Sequence, residues 1–326
     1  MKRVLWAVLK LAVSGGLIVL LVRRIGLGPI VEAVRQVEPL WLLAGVLLIL
    51  VSNLLGSQQW RVLLELAGVR LPGTSVVAYY LVGIFFNNFL PSSVGGDVSR
   101  IVDAGRASGR RAPVIGATLV DRLLGMTVIA LLAAVAAARF GDRLADEAMA
   151  RWVWLGVGLI LLASAGSLGL IMSRRLSGLV EHWSARLPTP VRRPVAQLLV
   201  AIAPLREARR TALSLLGLSL VVQVLRILTH VAVAAALDIQ LEVGYFFLFV
   251  PLLAALVMVP ISINGIGVRE SMGAVLFALA GTAPADASAM QFLAYLVAVA
   301  ASLAGGFIFL VRRPVEPLPG MDVGLR

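Results

Sequence analysis

Apolar residues recur along this chain in long blocks, without the short period of a half-buried strand. The blocks at 4–22, 40–56, 114–138, 152–173, 213–237 and 290–311 are close to the length of about twenty residues that a helix needs to cross a bilayer. They predict about six full transmembrane helices. Paired arginines close three of them, at Arg23 and Arg24, Arg174 and Arg175, and Arg312 and Arg313. The first block has no small-x-small cleavage pattern before its arginines, so it reads as a retained span and not as a signal peptide. Behind it, 29–38 places Ile30, Val34 and Val37 on one helical face, as an interfacial helix would.

Two further blocks are too short to cross. One, 76–90, stops at Pro91 and contains the polar pair Asn87 and Asn88; the other, 245–260, stops at Pro260. Each is followed by a glycine-rich break and a second helical stretch, one over 97–107 and the other ending at 280, which predicts two re-entrant helical hairpins. The breaks match one another: PSSVGGDVSR (91–100) and PISINGIGVR (260–269) share Pro91/Pro260, Ser93/Ser262, Gly96/Gly265 and Arg100/Arg269 at one offset of 169. A Gln-x-x-Arg pair precedes each break, Gln58 with Arg61 and Gln223 with Arg226. The recurrence of motif and order predicts a repeat, with a first half of about 40–138 and a second of about 213–311. Between them, the connector at about 174–212 mixes apolar residues and charges in 176–187 and 195–205, like helices on the membrane surface. The whole reads as an all-α integral membrane protein with one membrane domain, 1–312, and a disordered Pro-rich tail, 313–326.

Composition supports this and narrows the chemistry. With 60% hydrophobic residues, 14% charged residues and a mean hydropathy of +0.97, the chain falls outside the range of soluble domains. The absence of Cys removes disulfides and thiolate chemistry, and His182 and His230 are the only imidazoles, so no metal and no cofactor is expected. The net charge of +12 clusters beside apolar spans, where it orients helices and attracts anionic lipid; nucleic acid is not an expected partner. Loop charges give an orientation. The 174–212 loop nets +6 and 97–113 nets +2, which puts both in the cytoplasm; 238–242 nets −2 and 281–289 nets −1, which puts both outside. Both termini are then cytoplasmic and the two hairpins enter from opposite sides, as in the inverted repeats of secondary transporters. The 23–39 loop, which nets +1 although this scheme places it outside, is the exception.

A helix broken inside a bilayer frees backbone groups that only protein, water or a ligand can satisfy. Half-helices beginning at Gly95 and Gly96 and at Gly265 and Gly267 would present N–H groups and partial positive charge near mid-membrane. Arg100 and Arg269 stand in or near those first turns, and a phosphate is the anion such a site suits. Asn87, Asn88, Ser93, Ser262 and Asn264 add polar groups around the breaks. Arg61, Arg122 and Arg226 are candidate stepping stones along a headgroup path, Arg226 thirteen residues into its span and on one face with Gln223 and His230. Asp97, Glu270, Asp121 and His230 are candidate charge partners or proton-coupling groups. The alternative is a closed polar plug, in which Asp97 and Glu270 neutralise the helix ends and pair with the arginines.

The motifs NNFLPSSVGGDVSR (87–100), DRLLG (121–125) and PISINGIGVRE (260–270) resemble the transmembrane flippase region of lysylphosphatidylglycerol synthases and the stand-alone flippase-like proteins of that superfamily. The similarity runs over roughly 1–312. It implies paired re-entrant hairpins and the movement of a phospholipid or a polyprenyl-phosphate-linked lipid between leaflets of a prokaryotic cytoplasmic membrane, the membrane lipid being the partner. A homo-oligomer and a separate lipid-modifying enzyme are further candidate partners. Full-length synthases add a soluble aminoacyl-transfer domain that has no counterpart in this sequence, so the chain is not expected to be an enzyme. Two other readings stay open at this point: a membrane-embedded transferase acting on a lipid carrier, and a non-transporting assembly factor.

Overall fold

The computed structural model describes residues 37–312 apart from 90–94, 145–146 and 259–267. The first predicted span, nearly all of the interfacial helix at 29–38, the tail at 313–326, and the break residues Ser93, Ser262, Asn264, Gly265 and Gly267 lie outside the described residues. The described residues form eleven α-helices. In chain order these are α1 (Pro39–Leu66), α2 (Gly73–Phe89), α3 (Gly95–Ser108), α4 (Arg111–Phe140), α5 (Glu147–Met172), α6 (Arg174–Ser184), α7 (Thr189–Glu207), α8 (Arg209–Ala236), α9 (Val243–Met258), α10 (Val268–Ala278) and α11 (Pro284–Val311).

Five stretches are long and apolar enough to cross a membrane, and they lie on α1, α4, α5, α8 and α11, the five described helices in which full spans were expected. Their outward faces carry large apolar side chains such as Val135 and Leu162, both 72% exposed, which hydrocarbon tolerates and water would not. The connector forms α6 and α7. Ser173 caps α6 by accepting from the Leu176 N–H, which satisfies one of the donors a helix start leaves open. The short blocks become α2 and α9, of 17 and 16 residues, each followed after its break by a short helix, α3 or α10.

The two groups of four helices correspond closely. α1 and α8 both have 28 residues and end in the same cap. Gly68 (φ 74) and Asp238 (φ 54) take the left-handed conformation; Val69 donates back to the Leu64 carbonyl and Ile239 to that of Ala234, so each end closes on its own last turn. Packing is reciprocal as well. α1 lies along α8; α2 packs on α11 as α9 packs on α4; α1 meets α11 as α8 meets α4. These correspondences follow an offset near 170, which corrects one sequence expectation. Gln58–Arg61 and Gln223–Arg226 are offset by 165, more than a helical turn out of step, so Arg61 lies close to the end of its helix while Arg226 lies deep in its own.

Contacts between loops sort the helix ends into two groups. Arg110 donates to the Gly68 carbonyl at 2.5 Å and Arg312 pairs with Asp103 at 2.6 Å, at one end. At the other, the Glu38 N–H donates to the Ala236 carbonyl at 3.1 Å and Arg143 faces Glu242 at 3.6 Å.

Close backbone approach fixes α2. A Cβ on Gly305 would collide with the Leu81 carbonyl, and one on Gly83 would come within 2.8 Å of the Gly96 carbonyl, so α11 and α3 both reach α2 through glycine, as small residues allow in membrane helix packing. Gly305→Ala is expected to cost on the order of 2 kcal/mol through overpacking, whereas Gly158→Ala, with open space around its Cβ, should be neutral. Thermal melting of the detergent-solubilised variants checks both.

Candidate functional site

Within the bundle the helices enclose a cavity of about 1040 Å³, lined from both halves and from α5. One flank is apolar, made by residues of α5, α9 and α10 that include Leu159, 59% exposed, with Trp152, Leu256 and Val275. The charges come from α3, α4, α8 and the first turn of α10. Among the described residues the cavity wall holds four guanidinium groups, of Arg100, Arg122, Arg226 and Arg269, and two carboxylates, of Asp97 and Asp121.

The carboxylates are fully engaged. Asp97, in the first turn of α3, takes Arg100 on one oxygen at 3.1 Å and Arg122 on the other. Asp121, on α4, takes Arg100 at 3.0 Å and the Gln59 amide at 2.9 Å. Arg100 is 5% exposed and is further held between the rings of Trp60 and Tyr80, at 5.0 and 5.1 Å from their centroids, a geometry in which aromatic faces attract the cation. Trp60 is itself fixed by donating to Thr118 at 3.0 Å. The first half therefore resembles the plug alternative: Arg100 is committed to protein partners. The break at Gly95 and Gly96 is also partly closed from within, since the Gly96 N–H donates to Asn87 Oδ1 at 2.7 Å.

The second half is arranged otherwise. Arg226 donates through Nε to Ser52 at 3.2 Å, and among the described residues it has no carboxylate partner; its remaining N–H groups belong to the cavity wall. His230, one turn on, approaches the Arg226 carbonyl through Nδ1 at 3.2 Å, which assigns that proton to Nδ1 and leaves Nε2 as an acceptor. Arg269 stands over the Tyr295 ring at 5.3 Å, and the Tyr295 hydroxyl donates to the Asn88 carbonyl at 3.0 Å, linking α10, α11 and α2 across the two halves.

Most of the expected site residues in the described chain converge here: Arg100, Arg122, Arg226, Arg269, Asn87, Asp97, Asp121 and His230 all line the cavity. Gly96 and Asn88 contribute from behind the wall. Arg61 does not converge. It pairs with Glu65 at 2.9 Å on the surface, its side chain 43% exposed. Glu270, in the first turn of α10, is half-buried and its carbonyl accepts from Ser288 at 3.4 Å; it is not on the cavity wall. Sequence reasoning missed Gln59, Tyr80 and Gln291. Their signal was a polar or phenolic group inside an apolar block, and for Gln59 the neighbouring Gln58, which is exposed, drew attention instead. Gln291 is fully buried, and neither its amide nitrogen nor its oxygen has a partner; the Gln59 carbonyl oxygen and Arg100 Nε are likewise unsatisfied. Each such group costs about 1–3 kcal/mol if nothing reaches it.

Removing Arg100 would leave the buried Asp121 with no cation and Asp97 with Arg122 alone, so Arg100→Ala should lower folding stability by roughly 3–5 kcal/mol. Arg100→Ala combined with Asp97→Asn and Asp121→Asn should recover much of that loss. Melting and monodispersity of the purified variants measure it.

A family model described as lysylphosphatidylglycerol synthase TM region matches residues 7–312. No curated protein and no solved structure matches the chain.

Proposed function

The chain belongs to the lysylphosphatidylglycerol synthase TM region family, and on that premise we propose that it moves an anionic, phosphate-bearing lipid between the leaflets of a prokaryotic cytoplasmic membrane. The observation that carries this reading is the cavity's division into a cationic wall and an apolar flank. Asp97 and Asp121 are engaged by Arg100, Arg122 and Gln59, and the described wall carries four guanidinium groups against those two carboxylates, with Glu270 next to Arg269 in the chain but off the wall. A phosphate placed there gains charge-assisted hydrogen bonds in a low-dielectric setting, while acyl chains lie along the side of Leu159 and Leu256. Arg226 and Arg269 are the phosphate contacts in this reading, with Arg122 beside them; Arg100 holds the wall together. The protein acts by transport and not by chemistry on the lipid.

The mechanism rests on an inverted repeat. α1–α4 and α8–α11 are the repeated units, α2–α3 and α9–α10 the re-entrant hairpins, and α5 the extra crossing that turns the second unit over. Matched helix lengths, the shared caps at Gly68 and Asp238 and the reciprocal packing support this. So does the agreement between the loop-charge orientation and the grouping of helix ends, in which 68, 103, 110 and 312 share one face and 38, 143, 236 and 242 the other.

Reconstitution into liposomes with fluorescent phospholipids, following both translocation and headgroup turnover, tests the function. Arg226→Gln should slow translocation by roughly tenfold or more, as for a ligand-facing charge that folding does not require, with melting unchanged; Arg61→Ala should leave the rate within about twofold, as expected of an exposed ion pair. Translocation indifferent to Arg226, or conversion of the headgroup, would overturn the reading. The orientation has its own test. In this Cys-free chain, cysteines placed at Asp238 and Asp286 should label from outside and those at Arg192 and Arg312 should not.

A further inference from the structure

The proposed function leaves the headgroup beyond the phosphate undefined, and the cavity's neutral polar groups define it. Three facts bear on the choice. First, all four oxygens of Asp97 and Asp121, the only carboxylates on the described wall, already accept from Arg100, Arg122 and Gln59, so an ammonium group entering the cavity has to compete with those donors for them. Secondly, Gln59 donates its amide to Asp121, which leaves its carbonyl oxygen facing no donor. Thirdly, Gln291 is 0% exposed, lines the same cavity, and has neither its donor nor its acceptor used. A buried amide in that state is matched by a ligand group that both donates and accepts. A hydroxyl does both; an ammonium only donates, and a bare phosphate only accepts.

The place of Gln291 sharpens the contrast. α11 packs on α2 as α4 packs on α9, so Gln291 stands on the counterpart of the helix that carries Asp121. Where the first half sets a carboxylate against its arginine, the second sets a neutral amide on the helix that also carries Tyr295, the ring under Arg269. Gly273 makes room for it, because a Cβ there would collide with the Gln291 side chain.

We propose that Gln291 and Gln59 read the headgroup, and that the lipid taken carries uncharged hydroxyls beyond its phosphate, as a polyol or sugar does, and not an amino group. This rests on the lipid-transport reading for its ligand but is tested by binding alone.

The experiment measures affinities by ligand-dependent melting of the purified full-length protein in detergent, with phosphatidylglycerol, phosphatidylinositol, phosphatidic acid, lysylphosphatidylglycerol and soluble glycerol 3-phosphate. Phosphatidylglycerol and phosphatidylinositol should each bind roughly tenfold tighter than phosphatidic acid or the lysyl lipid, a factor of ten corresponding to 1.4 kcal/mol. Glycerol 3-phosphate, lacking chains for the apolar flank, should bind far more weakly than any of the lipids. Gln291→Leu and Gln59→Leu should erase the preference for hydroxylated headgroups while leaving phosphatidic acid affinity unchanged, and Arg226→Gln should weaken all phosphate lipids together. Gln291→Glu, which puts a carboxylate at this position, should shift selectivity towards the lysyl lipid and keeps the test decisive if the leucine variant misfolds. Equal or tighter binding of the lysyl lipid, or a loss in Gln291→Leu that is the same for every lipid, would overturn the headgroup inference and leave anionic lipid binding standing. Failure of all the phosphate lipids to bind would sink both, and glycerol 3-phosphate binding as tightly as the lipids would replace the lipid ligand with a soluble one.

Discussion

A charge or a broken helix inside hydrocarbon must be answered by protein or ligand, because no water is there to answer it. The pairing of Arg100 with Asp97 and Asp121 is the first answer, and much of the structure serves it. Asp97 is available because α3 begins at the glycine pair; Asp121 faces inward because α4 packs along α3; Trp60 and Tyr80 close over the guanidinium from α1 and α2. Four helices of the first half thus meet at one cation. Their apolar packing, around Leu64, Val120 and Leu124, positions that meeting and excludes everything else from it.

The second half uses the same helix plan for another end. Its arginines, Arg226 and Arg269, lie on the cavity wall together with the buried amide of Gln291. In the function proposed above, the first half fixes the geometry of the site and the second meets the ligand. Phe246, Phe249 and Phe277 meet in tilted and edge-on contacts between α9 and α10 and form part of the apolar core of the second half.

The sequence carried the spans, the two breaks and the arginines because each violates the bilayer's demand for apolar residues, and a violation stands out against a uniform background. Registers within a helix do not stand out. Gln58 and Gln59 are adjacent polar residues, and only packing decides that Gln59 turns to Asp121 while Gln58 turns away. Arg61 matched Arg226 by local spacing, yet the caps at Gly68 and Asp238 show the helices aligned at another offset, and depth in the bundle follows the caps. Half of the commitment of Arg100, to Asp97 three residues before it, was legible; the other half was hidden, since Asp121 is 21 residues away and belongs to another helix. Charge counting registers that both signs are present but not which are already joined.

The two short helices also differ in stiffness. α2 touches α11 and α3 through backbone, with no side chain between to yield, so rotation about its own axis brings carbonyls into collision. α9 instead carries Pro251 in its interior, which has no N–H to offer the Phe247 carbonyl one turn back, so the helix is easier to bend. A machine built from matched halves would then have a stator and a compliant arm, and the direction in which the cavity yields would be written in one proline and a pair of glycines, without any change in charge.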